Sequence, residues 1–119
     1  MSTRLIPNLH EKSIAIDFDG VLNNYDGYDG DNIGEPRPGA KEFLIELSKD
    51  YNVIIFSARR YTKIIRWLNK YNLQQYVVNV TGYKPKNVVA FIDDRGIRFD
   101  GDYEKALQEL ENFKPYWQK

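Results

Sequence analysis

Short apolar runs alternate with helix-spaced stretches along this 119-residue chain. Residues 13–18 (SIAIDF), 53–56 (VIIF), 77–80 (VVNV) and 88–92 (VVAFI) are rich in β-branched and aromatic residues, as strands are. VIIF and VVAFI lack polar alternation, which suits strands covered on both faces. Residues 39–51 put Ala40, Phe43, Leu44, Leu47 and Tyr51 on one helical face. Residues 61–71 repeat the spacing with Tyr61, Ile64, Ile65, Leu68 and Tyr71. Pro38 stands at the start of the first of these helices, where a missing N–H costs nothing. Asp102 is a candidate N-cap for a third helix carrying Tyr103, Ala106, Leu107, Leu110 and Phe113. Residues 97–99 form a short candidate edge strand. Residues 19–36, full of Asp, Asn, Gly and Tyr, follow neither period and make a long loop.

This alternation predicts one α/β domain over residues 1–119, a Rossmann-like three-layer sandwich. Its sheet is expected to be mostly parallel, of about five strands with right-handed crossovers. With the first strand central, the expected order, counted along the chain, is 3-2-1-4-5.

Composition narrows the function. Seventeen basic and seventeen acidic residues cancel to a net charge of zero, which disfavours a protein that coats polyanions. The absence of cysteine excludes disulfides, a thiol nucleophile and thiolate metal sites. One histidine, His10, excludes a multi-histidine metal site. The longest apolar run, residues 88–92, is too short to span a bilayer, so no membrane partner is expected. The first twenty residues have no apolar signal core and contain Asp17, which predicts a cytoplasmic location.

The acids fall at strand ends. Asp17 and Asp19 close the first strand, and Asp93 and Asp94 close the fourth. Ligands of open parallel sheets bind outside the carboxyl ends, where strand order reverses. With the first strand central the two acidic pairs meet there, beside Ser57. Crowded carboxylates at an apolar sheet repel one another and lose solvation. A divalent cation relieves both, and an all-oxygen set selects Mg²⁺, which commonly shares itself with a phosphate. Lys84 or Lys86 can supply positive charge for a phosphoryl group. Taken singly these residues are unremarkable: acids after strands are often turn residues or N-caps, and a D-x-D-G string alone is a weak motif. The ordered combination carries the functional reading.

At these residues the chain resembles the haloacid dehalogenase superfamily of phosphohydrolases. IAIDFDGVLN (residues 14–23), VIIFSARR (53–60), YKPK (83–86) and VVAFIDDRG (88–96) resemble its four motifs in order. The IDDR form is similar to small nucleotidases and to the phosphatase half of polynucleotide kinase-phosphatases. The resemblance implies that Asp17 is the nucleophile and forms an aspartyl-phosphate. It implies that Asp19 protonates the leaving oxygen and then activates water. Ser57 and Lys84 would hold phosphoryl oxygens, with Lys86 as runner-up for the lysine. Asp17, the carbonyl of Asp19, and Asp94 would bind Mg²⁺, with Asp93 in support. Phe18, Gly20, Ala58, Arg59 and Tyr25 are placed with the substrate. Val21 stands where threonine is commoner in the first motif.

The resemblance further implies a fold without the cap domain many members carry, because neither gap between motifs can house one. The loop 23–35 would serve as a small flap, and a neighbouring copy in a homo-oligomer can also close the open site. The implied activity is a Mg²⁺-dependent phosphomonoester hydrolase. Its substrate would be a nucleotide or other phosphorylated small molecule, or, as the alternative, a nucleic-acid end. Arg59, Lys63, Arg66 and Lys70 form a basic stripe favouring the alternative, while Asp26, Asp29 and Asp31 in the flap would repel a polyanion. Tyr25 and Tyr28 can stack on a base or pack on the body. Trp67 and Trp117 read as packing residues, and His10 as a surface residue. A receiver-type signalling domain has similar ingredients but places its acceptor acid and lysine in another order.

Overall fold

A computed structural model describes residues 2–24, 33–93 and 101–112. Among these residues five strands and three helices follow one another as β1 (Ser2–Arg4), β2 (Ser13–Asp17), α1 (Ala40–Asp50), β3 (Asn52–Phe56), α2 (Tyr61–Lys70), β4 (Asn79–Thr81), β5 (Phe91–Ile92) and α3 (Tyr103–Asn112). A turn of 3₁₀ helix, Gln74–Tyr76, leads into β4. The sheet order is β1-β4-β3-β2-β5. β2 runs parallel to both β3 and β5, β3 runs parallel to β4, and β1 alone is antiparallel.

The observed order differs from the expected 3-2-1-4-5 at its edges. The fifth strand is β1, beside β4 on the edge opposite β5. Its sequence, STR, has no apolar signal, because an edge strand of three residues is held by backbone pairing to β4. The expected strand at residues 97–99 lies outside the described residues. The expected run 88–92 narrows to Phe91–Ile92 in the ladder. Single backbone bonds still tie its earlier part to β2, Val89 N–H to the Ser13 carbonyl (2.8 Å) and Ala15 N–H to the Ala90 carbonyl (3.1 Å).

Three consecutive residues of β2, Ile14, Ala15 and Ile16, are wholly buried. A strand's side chains alternate between faces, so both faces of the sheet are covered at its centre. The helices bury the predicted stripes: Ala40, Phe43, Leu44 and Leu47 from α1, and Ile64, Trp67 and Leu68 from α2. α1 packs on β3 and α3, and α2 packs on β4. Asp102 caps α3 as expected, its carboxylate accepting the Lys105 N–H at 3.1 Å.

The link between β1 and β2 is fastened by one side chain. Asn52, at the start of β3 and only 2% exposed, accepts the N–H groups of Leu9 and His10 at 2.9 and 3.0 Å through Oδ1. Its Nδ2 donates to the His10 carbonyl at 2.6 Å. The His10 ring is half-buried, with Nε2 at 2.8 Å from the Ser48 carbonyl oxygen, a structural contact remote from the acidic strand ends. Asn52→Ala strands these backbone groups and should lower stability by about 2–3 kcal/mol, read as a lower urea midpoint. An unchanged midpoint contradicts the fastening role.

Candidate active site

Strand register brings the predicted residues to one level. Asp17, the last residue of β2, pairs with Phe56, the last of β3. Ile16 pairs with Ile92 of β5, so Asp93 leaves β5 where Asp17 leaves β2. Ser57 follows Phe56 directly, and its N–H bonds the Thr81 carbonyl at the end of β4 (3.0 Å). Asp17 and Asp93 therefore stand level at the carboxyl ends of β2 and β5, with Ser57 one residue further along beside them at the end of β3. Asp94 and Tyr25 lie outside the described residues, as do Tyr28, Trp117 and the flap acids.

After Asp17 the chain turns at once. Phe18 points into the core, edge-on to Trp67 with ring centroids 4.9 Å apart. Its carbonyl accepts the N–H groups of Val21 (3.2 Å) and Leu22 (3.0 Å). Gly20 takes the left-handed conformation this turn needs, at φ +81°. Phe18 is buried between the two acids, and Asp17 and Asp19 are half-exposed. The Asp17 Oδ1 accepts the Phe18 N–H at 2.7 Å.

Each remaining acid meets a cation. Nε of Arg59 lies 2.9 Å and 3.1 Å from the two carboxylate oxygens of Asp19. The Arg59 and Asp19 side chains keep only 14% and 26% of their exposure. Arg59 is fixed at its backbone too, because its N–H donates to Ser57 Oγ at 3.1 Å. Lys84 Nζ lies 2.6 Å from Asp93 Oδ2, and the Asp93 side chain is 4% exposed. The same ammonium sits 5.3 Å and 5.2 Å from the ring centroids of Phe56 and Phe91, which adds cation–π attraction. Lys86 and Ala58 are exposed. The structure thus brings Asp17, Asp19, Ser57, Arg59, Lys84 and Asp93 to one end of the sheet. Among the described residues no three or more His, Cys, Asp or Glu side chains gather as a metal cluster.

Three residues support the acidic turn in ways the sequence does not announce. Asn23 is fully buried, and its amide touches both Asp19 and Gly20 (3.1 and 2.9 Å). Arg37 Nη1 donates to the Gly20 carbonyl at 3.3 Å. Tyr103, stacked on Phe43 with centroids 4.6 Å apart, donates its hydroxyl to the Val21 carbonyl at 2.5 Å. Asn23 and Arg37 are loop residues with no periodicity to mark them, and the stripe of the third helix marked Tyr103 only as a packing residue. Only the i, i+4 spacing of Asn23 from Asp19 hinted at contact. Trp67 fills the packing role expected of it and also donates Nε1 to the Gly34 carbonyl at 2.7 Å. That bond, with Asn24 N–H to the Glu35 carbonyl (2.8 Å) and Arg37 N–H to the Leu22 carbonyl (2.8 Å), clamps the two ends of the loop expected to be a flap. A Cβ on Gly34 would collide with the Asn24 carbonyl oxygen, so the neck closes only around glycine.

A central parallel sheet with acids and cations at its carboxyl ends has the arrangement of a phosphoryl-handling site. The chain matches the family model of NLI interacting factor-like phosphatases over residues 8–114 and belongs to that family, a branch of the haloacid dehalogenase superfamily. No curated protein matches the chain. Its fold is similar to that of a solved structure, a conserved protein from Bacteroides thetaiotaomicron. The two are 22% identical, with a TM-score of 0.62, over 88% of this chain and 93% of the other. No helix among the described residues is long and apolar enough to cross a membrane.

Two measurements check these contacts. Lys84→Ala removes the ammonium that meets buried Asp93 and should cost about 1–3 kcal/mol of stability. Lys86→Ala should change stability by less than about 0.5 kcal/mol. Equal effects in denaturant melts would contradict the assignment of Lys84. Burial pushes the Tyr103 phenol from its ordinary 10.0 up to about 12, and the nearby Arg37 opposes the rise. Below pH 10.0 the phenol is protonated both folded and unfolded; between there and about 12 only the unfolded chain releases the proton, so stability falls across that window. Tyr103→Phe should make the fall shallower in urea melts. Tyr51, raised by burial and then by Asp50 and Glu111, keeps its share in the variant. An identical fall in wild type and variant would contradict the buried Tyr103 phenol.

Proposed function

We propose that this phosphatase-family protein is a Mg²⁺-dependent phosphomonoester hydrolase that works through an aspartyl-phosphate on Asp17. The observation that carries the reading is the meeting of Asp17, Ser57 and Asp93 at the ends of three neighbouring strands, with Lys84 fixed beside Asp93.

A carboxylate oxygen of Asp17 attacks phosphorus, and the bond from phosphorus to the ester oxygen breaks. Asp19 gives its proton to that leaving oxygen. Water then attacks phosphorus, Asp19 takes the water's proton, and the bond to Asp17 breaks to free phosphate and regenerate the carboxylate. Two displacements replace one difficult hydrolysis. Ser57 and Lys84 hold the phosphoryl oxygens, and Asp93 orients Lys84. The pairing of Lys84 with Asp93 favours Lys84 over Lys86 for this task.

The donor chemistry fits magnesium. Asp17 and the carbonyl of Asp19 offer hard oxygens at the sheet's end, and the chain has no cysteine to favour a softer metal. Asp17, the Asp19 carbonyl and Asp94 would hold the ion, while Asp93 supports the site through Lys84. When bound, the ion supplies positive charge against the charge spread over the phosphoryl oxygens.

A small phosphorylated metabolite, such as a nucleotide, suits the site better than a nucleic-acid end. Arg59 is turned onto Asp19 and Lys63 is half-buried, which leaves Arg66 and Lys70 as the exposed remainder of the basic stripe. That is too short a track to follow a polynucleotide backbone.

The test is phosphate release from p-nitrophenyl phosphate and a panel of nucleotides and sugar phosphates, with Mg²⁺ and with EDTA. Release should require the metal, and Asp17→Asn should reduce it to background with an unchanged circular dichroism spectrum. Full release in EDTA, or an active Asp17→Asn variant, contradicts the proposal.

A further inference from the structure

Asn23 makes contacts that core packing alone does not require. It is 0% exposed, in a loop, between the acidic turn and the neck of residues 33–37. Its backbone forms bridges to Asp19 on one side and Pro36 on the other. Its side-chain Oδ1 accepts the Gly20 N–H at 2.9 Å. A backbone N–H can only donate, so this bond fixes which way the amide faces and leaves Nδ2 toward Asp19. Nδ2 then donates to Asp19 Oδ1 at 3.1 Å.

The two oxygens of Asp19 are therefore unequal. Oδ1 receives Asn23 Nδ2 at 3.1 Å and Arg59 Nε at 2.9 Å. Oδ2 meets the same Arg59 Nε at the longer 3.1 Å, and no other donor among the described residues. One oxygen is held from two directions, by Asn23 and Arg59, and the other by Arg59 alone at the longer distance. A carboxyl group that exchanges a proton with a leaving oxygen needs one fixed rotamer and one available oxygen.

We infer that Asn23 is a positioning residue for the phosphatase reaction: it anchors Oδ1 of Asp19 so that Oδ2 faces the leaving oxygen. The inference rests on the proposed role of Asp19. It assigns Asn23 no contact with substrate. Arg59 holds the carboxylate from outside and Asn23 holds it from within the core.

Asn23→Asp tests this. The substituted side chain keeps an acceptor for Gly20, so the turn is retained, but it replaces the donor facing Asp19 with a second acceptor oxygen. Activity is measured with Mg²⁺ on p-nitrophenyl phosphate, whose phenolate departs without a proton, and on glycerol phosphate, whose alkoxide needs one. The expected result is a loss in kcat/KM, which reads the steps up to departure of the leaving group, about tenfold or more larger on glycerol phosphate than on p-nitrophenyl phosphate. Equal losses in kcat/KM on the two esters mean a merely structural role and overturn the inference, as does no loss on either. If Asn23→Asp fails to fold, Asn23→Ser carries the same expectation, since its hydroxyl falls about one bond short of Asp19. Asp19→Asn measured beside it separates the two failures. Ester selectivity in Asp19→Asn without it in the Asn23 variant places the error in Asn23. Its absence from both places the error in the reading of Asp19.

Discussion

Carboxylates gathered at the end of a parallel sheet stay together only if each is given something positive to face, and the rest of this structure is arranged around that constraint. Asp93 is buried and would be costly there as a lone charge; Lys84 meets it at 2.6 Å. Asp19 is half-buried, and Arg59 meets both of its oxygens. These pairs are arranged so that the cations come from the loops after β3 and β4 while the acids come from β2 and β5. The β3–β2–β5 register is what lets them meet. In the proposed reaction this positive shell also receives the charge of a phosphoryl group, so the interactions that make the acids tolerable also suit the site to an anion.

The turn that carries Asp17 and Asp19 is supported from elements far away in sequence. Tyr103 of α3 holds the Val21 carbonyl, Arg37 holds the Gly20 carbonyl, and Trp67 of α2 packs on Phe18 and ties down Gly34. Each bond satisfies a backbone group that an irregular turn leaves without a ladder partner. An acid placed on such a turn is as precise as these supports make it.

Much of the architecture was legible before any coordinates. The 3.6-residue stripes of α1 and α2 appear as buried faces, because burial on a helix imposes that period. Asp17, Ser57 and Asp93 were readable as strand-end residues because the apolar runs before them are unmistakable. The edge strand β1 was not readable. Its residues are polar, and pairing with β4 is a backbone event that leaves little trace in side-chain chemistry. Arg59 is expected both with the substrate and in a basic stripe, and its side chain turns onto Asp19; spacing along a helix cannot report a contact made across the sheet end. Asn23 was missed for the same reason, since a fully buried asparagine looks in sequence like any loop asparagine.

The most direct test of the proposed chemistry is to quench the enzyme in acid during turnover, reduce with borohydride, and sequence the peptides by mass spectrometry. An aspartyl-phosphate is reduced to homoserine, so the proposal predicts homoserine at position 17 alone, and only when substrate and Mg²⁺ are both present. Reduction at another aspartate, or none while phosphate is being released, would contradict Asp17 as the nucleophile.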